Sequence, residues 1–240
     1  MTEDQIVIQI KSALEALFES VKELYTKDFA LLENDVHEQS ISYKIAHYFE
    51  NILTSNDNPN NKLSENNLSV DVEYNRQESL SKKLCHLPNN SSKENLQEIN
   101  NEIKTIVKKY LKDSYGCYVT EVILENYIDK KTMRPDIILH KRKIDEYNIL
   151  VIEVKKANLN TNLDKLKLNI LTNYYDYKIG LSLVLKTEDK NKPTFTFYVQ
   201  KKYIEHVEKK LKELKKQMPD YTIYLINTSS IDVEKEIKLS

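Results

Sequence analysis

The N-terminal part of the chain carries apolar residues at the spacing of a helix. Between residues 3 and 25 an apolar position recurs every three or four residues, which predicts an amphipathic helix. These positions are Ile6, Ile10, Ala13, Leu14, Leu17, Phe18, Val21 and Leu24. A second helix is predicted to begin near His37. Its apolar face would carry Ile41, Ile45, Phe49, Ile52 and Leu53. A polar, asparagine-rich loop at 56–67 is expected to follow it.

A strand and an inserted helix are predicted next. Residues 68–74 alternate strictly between apolar and polar side chains, which indicates a strand with one face toward solvent. Ser91 and Glu94 have the spacing of a capping box that begins a helix. We therefore expect a helical insertion near 85–115.

The remainder of the chain alternates between strand and helix patterns. Strands are predicted at 117–126, 135–141, 148–155, 179–186, 194–200 and 221–227, and helices near 162–173 and 203–217. Residues 148–154 contain the run Ile-Leu-Val-Ile, and such a run is typical of a strand buried on both faces. The order predicts an α/β fold, a mixed central sheet flanked by helices, in a single domain over 1–240.

The composition of the chain excludes several classes of protein. The chain has 36 basic and 37 acidic residues, so a strongly basic surface for bulk binding of nucleic acid is not expected. Its two glycines, Gly116 and Gly180, are isolated, which excludes a P-loop and a dinucleotide-binding fingerprint. Because no apolar signal sequence and no membrane-length apolar run are found, we expect a soluble, cytoplasmic protein.

The candidate chemistry lies on two predicted strands that flank a polar turn. The turn is predicted to be centred between Ile144 and Asp145. That register places Asp136 directly opposite Glu153, with their Cβ atoms about 5 Å apart. Glu153 and Lys155 are two positions apart on a strand, so their side chains project from the same face. We expect two carboxylates and one amine to cluster near a strand end; a surface ion pair is the alternative interpretation.

Such a cluster suits the hydrolysis of a phosphodiester. Hard carboxylate oxygens are the ligands that Mg²⁺ or Mn²⁺ prefers. A divalent ion held there polarises the phosphate and lowers the pKa of a water molecule. A lysine beside the ion can orient or deprotonate that water.

Two short segments, Pro135-Asp136 and Glu153-Val154-Lys155, resemble the motifs of the PD-(D/E)xK nuclease superfamily, which has the restriction-endonuclease-like fold. The resemblance implies that Asp136 and Glu153 bind a divalent metal ion together with the backbone carbonyl of Val154. It also implies that Lys155 acts on the attacking water.

The family core consists of a helix, a three-strand meander, a crossover helix and a further strand. The resemblance implies that this core spans 37–186. Residues 1–36 would then be an N-terminal helical extension, and 187–240 a C-terminal strand–helix–strand extension. Which strand opens the meander is left open between 117–126 and 68–74.

Four further residues are candidates for the site. Many family members carry a glutamate on the first core helix, and Glu38 is the candidate here; a first-turn carboxylate favoured by the helix dipole is the alternative. Arg76 follows a strand that resembles one in prokaryotic and phage-associated members, and it is either a phosphate contact or an ordinary edge residue. Lys165 and Lys167 lie on the helix after the site, where they are expected to meet a backbone phosphate.

The sequence therefore predicts a Mg²⁺-dependent endonuclease that acts on DNA. A homodimer is expected because cleavage of a duplex usually needs two such sites, and the resemblance implies a role in restriction or phage defence. Two alternatives remain open. One is a nucleic-acid-binding or partner-binding module of the same fold without turnover. The other is an interaction protein that dimerises through the helices at 3–25 and 95–112.

Overall fold

The structure is a computed structural model of the chain. It describes residues 2–34, 36–55, 68–73, 76–77, 80–81, 133–142, 144, 147–156, 162–186, 192–228 and 236–239, together with separate residues between 101 and 124. The loop predicted at 56–67 and the capping box at Ser91 and Glu94 lie outside these residues.

The two predicted N-terminal helices are confirmed. Helix α1 spans Glu3–Lys27, and its N-cap residue Thr2 forms a capping box with Gln5. A single turn, α2 (Ala30–Glu33), connects it to α3 (Glu38–Thr54). The apolar stripes of α1 and α3 are buried against each other and against the sheet, which explains the helical spacing of the sequence.

Seven strands form one mixed sheet. In chain order its members are β1 (Ser69–Val72), β4 (Ile137–His140), β5 (Leu150–Lys156), β6 (Ile179–Leu185), β7 (Thr194–Val199), β8 (Thr222–Asn227) and β9 (Glu236–Leu239), and they are neighbours in that same order. The pairs β5–β6 and β7–β8 are parallel, and the other neighbours are antiparallel. Strands β2 (Arg76–Gln77) and β3 (Leu80–Ser81) form a separate two-stranded ladder.

Helices cover both faces of the sheet. Helices α1, α3 and α5 (Ile204–Gln217, after a 3₁₀ turn at Lys201–Tyr203) pack on one face, where they share a core with Ile152 and Val154. Helix α4 (Asn162–Tyr174) lies on the other face, with Val151 in its core cluster. Strand β5 is thus buried on both sides, as its continuous apolar run predicts. The predicted α/β architecture with a mixed, helix-flanked sheet is confirmed.

Two regions differ from the prediction. The strand predicted at 117–126 is wrong at Leu124, which is helical and donates its N–H to the carbonyl of Thr120 at 3.0 Å. The neighbour of β4 that opens the antiparallel meander is β1 instead. At Leu124, a residue type that strands tolerate is therefore found in a helix, as tertiary context overrides local strand propensity. The edge strand β9 also went unpredicted, because its four residues are too short a pattern to distinguish from a loop.

The helix predicted within the insertion is confirmed for the residues that are described between 101 and 112, all of which are helical. Across the described ranges of the chain, no helix is both long and apolar enough to cross a membrane.

Candidate functional site

The antiparallel pair β4–β5 brings the two motif segments together. Ile137 lies opposite Ile152, and Leu139 lies opposite Leu150, which is the register that the sequence predicts. Asp136 directly precedes β4, and its N–H donates to the carbonyl of Ile152 at 3.1 Å. The motif aspartate is therefore fixed beside the strand that carries the motif glutamate.

The carboxylate of Asp136 is anchored to β5. Its Oδ2 accepts a hydrogen bond from the backbone N–H of Val154 at 2.6 Å. Burial raises the pKa of Asp136, although this hydrogen bond and the charges of Lys155 and Lys167 oppose the rise. The side chain is thus held in one orientation, and burial disfavours its charged form.

Glu153 is the most deeply buried carboxylate of the site. Its residue is 1% exposed, and its Oε2 accepts a hydrogen bond from Nζ of Lys167 at 2.7 Å. Its other oxygen, Oε1, is buried and has no hydrogen-bond partner in the described part of the chain. Burial raises the pKa of Glu153 to about 8; Lys167 lowers it, and the nearby carboxylates of Asp136 and Asp164 raise it further. A buried carboxylate with one unsatisfied oxygen is costly unless something binds there.

Lys155 joins β5 to both flanking helices. Its Nζ lies 3.2 Å from Oε2 of Glu38 and 3.8 Å from Oδ2 of Asp164. Burial alone would lower the pKa of Lys155, but the charges of Asp164, Asp136 and Glu38 outweigh it and raise the pKa. Lys155 is therefore an ammonium ion at neutral pH in this arrangement.

Glu38, the first residue of α3, reaches the end of β5. Besides its contact with Lys155, its Oε1 accepts a hydrogen bond from the backbone N–H of Lys156 at 3.1 Å. The two interpretations given for Glu38 are compatible, because a carboxylate in the first turn of α3 also contacts the site.

Helix α4 contributes a residue that the sequence reasoning missed. Asp164 is 5% exposed and lies between the two lysines, with Oδ1 at 3.2 Å from Nζ of Lys167 and Oδ2 at 3.8 Å from Nζ of Lys155. The available signal was its spacing, because Asp164 and Lys167 are three positions apart and share a helix face. That helix begins shortly after the motif strand, so its first turn lies near the strand end.

The three residues that were predicted to contact nucleic acid lie in three different settings. Lys167 was expected to meet a phosphate, and the structure pairs it with Glu153 inside the cluster. Lys165 is exposed and stands outside it. The main chain of Arg76 belongs to β2, and its side chain lies outside the described residues.

The charge balance of this cluster favours a cation. The cluster contains four carboxyl groups (Glu38, Asp136, Glu153 and Asp164) and two ammonium groups (Lys155 and Lys167). The two lysines form ion pairs with Glu38, Glu153 and Asp164, and their charges also act on Asp136. The cluster would carry two excess negative charges if every group were ionised. The raised pKa of Glu153 has the same origin, since burial and neighbouring carboxylates both disfavour its charge.

We tested whether these residues fit a divalent metal ion. In the ranges that the structure describes, no group of three carboxylate, imidazole or thiol side chains is placed to hold one ion. Lysine side chains contact Glu38, Asp164 and Glu153 instead. The unpartnered Oε1 of Glu153 and the neighbouring carboxylate of Asp136 nevertheless provide hard oxygen donors in a negatively charged setting. The donor chemistry fits Mg²⁺ or Mn²⁺, provided that Lys167 shares Glu153 with the ion.

Comparison with protein-family models, with curated proteins and with solved structures gave no match for this chain. The functional assignment therefore rests on the motif residues and on the geometry described above.

Proposed function

We propose that this chain is a metal-dependent nuclease with a restriction-endonuclease-like core, and that it hydrolyses phosphodiester bonds of nucleic acid, with DNA as the expected substrate. The observation that carries the proposal is the convergence of Asp136, Glu153 and Lys155 at the end of one β-hairpin. One buried oxygen of Glu153 has no hydrogen-bond partner among the residues that the structure describes.

The order of the elements supports the same proposal. Helix α3 precedes the antiparallel meander β1–β4–β5, and α4 then crosses over to β6, which is parallel to β5. This is the order expected for the nuclease core, with β1 as the opening strand. The residues of the two motifs lie at one end of this meander, where the N-terminal turns of α3 and α4 contact Lys155 through Glu38 and Asp164.

Asp136 and Glu153 would hold the metal ion, with the carbonyl of Val154 as a further donor. Glu38 would join them only by releasing Lys155 or Lys156, whose hydrogen bonds its two oxygens accept. A bound Mg²⁺ or Mn²⁺ supplies Lewis acidity toward the phosphate and toward the attacking water. Lys155, which is charged, donates hydrogen bonds and stabilises negative charge on the phosphate instead of removing a proton. Lys167 restrains the carboxylate of Glu153 and supplies a second buried positive charge.

The biological setting and assembly are part of this proposal. Cleavage of both strands of a duplex by one site per chain calls for a homodimer, and the motif resemblance points to restriction or phage defence.

A second candidate function is a binding module of the same fold that does not turn over. The observation in its favour is the pairing of Lys167 with Glu153, because a carboxylate neutralised by lysine does not need a metal ion. This candidate predicts binding of nucleic acid without cleavage.

The experiment incubates the purified full chain with plasmid, single-stranded DNA and RNA, with Mg²⁺ or Mn²⁺ and separately with EDTA. We expect metal-dependent cutting that is lost in Asp136→Asn and Lys155→Met. The matched controls are Asp220→Asn and Lys216→Met, which change exposed residues of the same type away from the site. Cutting in EDTA, or full activity of the two site variants, would overturn the proposal; metal-independent binding without cutting would favour the second candidate.

A further inference from the structure

A groove lies beside the site, between the first turns of α3 and the end of β1. Its volume is about 350 Å³, and it is lined by Gln39, Ser40, Tyr43, Val72 and Glu73. This volume is at the low end of the range of about 300–1,000 Å³ that is typical of small-molecule sites. The groove has room for a small planar group.

Two covalent or hydrogen-bonded links join the groove to the site. Gln39 follows Glu38 directly along α3, and Glu38 contacts Lys155. On the other wall, the backbone N–H of Glu73 donates to the carbonyl of Asp136 at 3.0 Å. A nucleic-acid strand with one phosphate over Asp136 and Glu153 would thus pass the mouth of the groove.

Tyr43 gives the groove an aromatic wall. Its residue is 65% exposed, which is unusual for a large aromatic side chain. The neighbouring positions Ile41, Ser42 and Ile45 are buried, so the helix that carries the ring is fixed on the core. An exposed aromatic ring on a fixed helix is the type of surface on which nucleobases stack, and each such contact contributes about 1–3 kcal/mol.

Glu73 gives the opposite wall a hydrogen-bond acceptor. It has a φ of 51°, a left-handed conformation that costs a residue other than glycine roughly 1–2 kcal/mol. Its hydrogen bond to the carbonyl of Asp136 holds this conformation. The side chain of Glu73 is 37% exposed, so its carboxylate is accessible from solvent. The guanidinium group of Arg134 lies 3.8 Å from its Oε2. Carboxylates accept hydrogen bonds from the exocyclic amino groups of bases, such as N4 of cytosine.

We propose that this groove binds one unpaired nucleobase of the strand held at the site, with Tyr43 stacked on the base and Glu73 accepting from its amino group. This inference rests on the proposed function and names its substrate class, which is single-stranded or locally opened nucleic acid. A base within a duplex cannot enter, because its faces are covered by its neighbours and its amino group is paired.

The test uses the absence of tryptophan from the chain. Tyr43→Trp introduces a single fluorophore into the groove. Tyr224→Trp is the matched control, because β8 lies four strands from β4 in the sheet, about 19 Å away at the usual strand spacing. Both variants are titrated in Mg²⁺ with short phosphorothioate oligonucleotides, which resist cleavage, and with a blunt duplex of the same length.

We expect single-stranded oligonucleotides to quench Tyr43→Trp and to leave Tyr224→Trp unchanged, while the duplex quenches neither. Oligo-dC is expected to bind about fivefold more tightly than oligo-dT, and Glu73→Gln to remove that preference. Tyr43→Phe retains affinity, whereas Tyr43→Ala loses about tenfold. Unchanged Tyr43→Trp fluorescence with every oligonucleotide, or equal quenching by the duplex, overturns the inference.

Failure of base binding in the groove can be distinguished from failure of the nuclease proposal. Metal-dependent cutting by the unaltered chain together with a silent Tyr43→Trp variant refutes the base subsite alone. Quenching without any cutting supports the subsite and refutes the hydrolysis.

Discussion

The ammonium group of Lys167 lies 2.7 Å from one carboxylate oxygen of Glu153, while the second oxygen of the same carboxylate has no hydrogen-bond partner within the described ranges. The first residue comes from α4 and the second from β5. A buried carboxylate that is only half satisfied is a site prepared for another positive group.

The first prediction compares two lysines of α4. Lys167→Met is expected to reduce metal-dependent cleavage by about 10²-fold, the usual effect of removing one buried group that stabilises charge in a transition state. Lys165→Met is expected to have a smaller effect, because Lys165 is exposed and solvent screens a contact between its ammonium group and a backbone phosphate. Initial cleavage rates of the two variants on the same plasmid check this. Equal rates would show that Lys167 has no part in the reaction.

The second prediction concerns the pH dependence of stability without metal. The pKa of Glu153 is raised by burial from 4.5 to about 8, so the folded protein binds this proton more tightly than the unfolded chain does. Its contribution to stability is fully present below about pH 4.5 and is lost as the pH rises to about 8. We measure the Tm of the unaltered chain minus the Tm of Glu153→Gln, both in EDTA. This difference is expected to fall between about pH 4.5 and about pH 8 and to level off at higher pH.

Thermal melts of both proteins from pH 5 to pH 9 measure this difference. Added Mg²⁺ should reduce the fall in the unaltered chain only, because a cation favours the ionised carboxylate. Parallel curves for the two proteins in EDTA would contradict the assignment of Glu153 as the titrating group.

The third prediction tests an ion pair on the β1–β4 ladder. Oδ2 of Asp71 lies 2.8 Å from Nε2 of the buried His140 and 3.0 Å from Nε of Arg142. Burial would raise the pKa of Asp71, but the hydrogen bonds from His140 and Arg142 outweigh it and hold the pKa well below its usual range. This stabilisation is present above the pKa of the unfolded aspartate, about 3.9, and is lost as the pH falls below it.

Asp71→Asn is therefore expected to lower the free energy of unfolding at pH 7 by about 2 kcal/mol, the scale of hydrogen bonds to a charged group. The loss should shrink as denaturation is repeated at lower pH. Arg142→Gln is the milder comparison, because that side chain is 61% exposed. A larger loss for Arg142→Gln than for Asp71→Asn would refute this account.

The fourth prediction concerns the contact between α4 and the sheet. A Cβ on Gly180 of β6 would lie 3.0 Å from Oγ1 of Thr172 and 3.4 Å from Cβ of Leu168. Gly180→Ala is expected to push α4 outward by a few tenths of an ångström. Gly180→Val is expected to lower the free energy of unfolding by about 1–3 kcal/mol, because the larger side chain overpacks the core. Because α4 carries Asp164 and Lys167, cleavage should fall in both variants. Chemical denaturation and cleavage rates measure the two effects, and full activity of Gly180→Val would show that the helix position is not critical.

Much of the hairpin could be predicted from the sequence because its information is local. Alternation along β5 determines that Glu153 and Lys155 share a face, and the β4–β5 register follows from the matched apolar runs. The predicted turn centre between Ile144 and Asp145 agrees with this register, and Lys141 and Ile144 form an additional isolated bridge in the connection. Burial of both strands favours this single register.

The partners of the site residues were decided by the tertiary structure. Lys155 and Glu38 are 117 positions apart in the chain, and their contact depends on where α3 crosses the sheet. Helical periodicity shows which face of α4 is polar, but it does not give the rotation and offset at which that face meets β5. For this reason Asp164 was missed, and Lys167 was expected to meet a backbone phosphate and not the carboxylate of Glu153.

By itself, the sequence determined the α/β class, the two N-terminal helices and the side of the hairpin on which Asp136, Glu153 and Lys155 lie. Only the tertiary structure decided that β1 opens the meander, and that two helix N-termini supply Glu38, Asp164 and a second lysine. The physical reason is range: strand and helix periods act over a few residues, whereas the packing of helices on a sheet depends on the whole core.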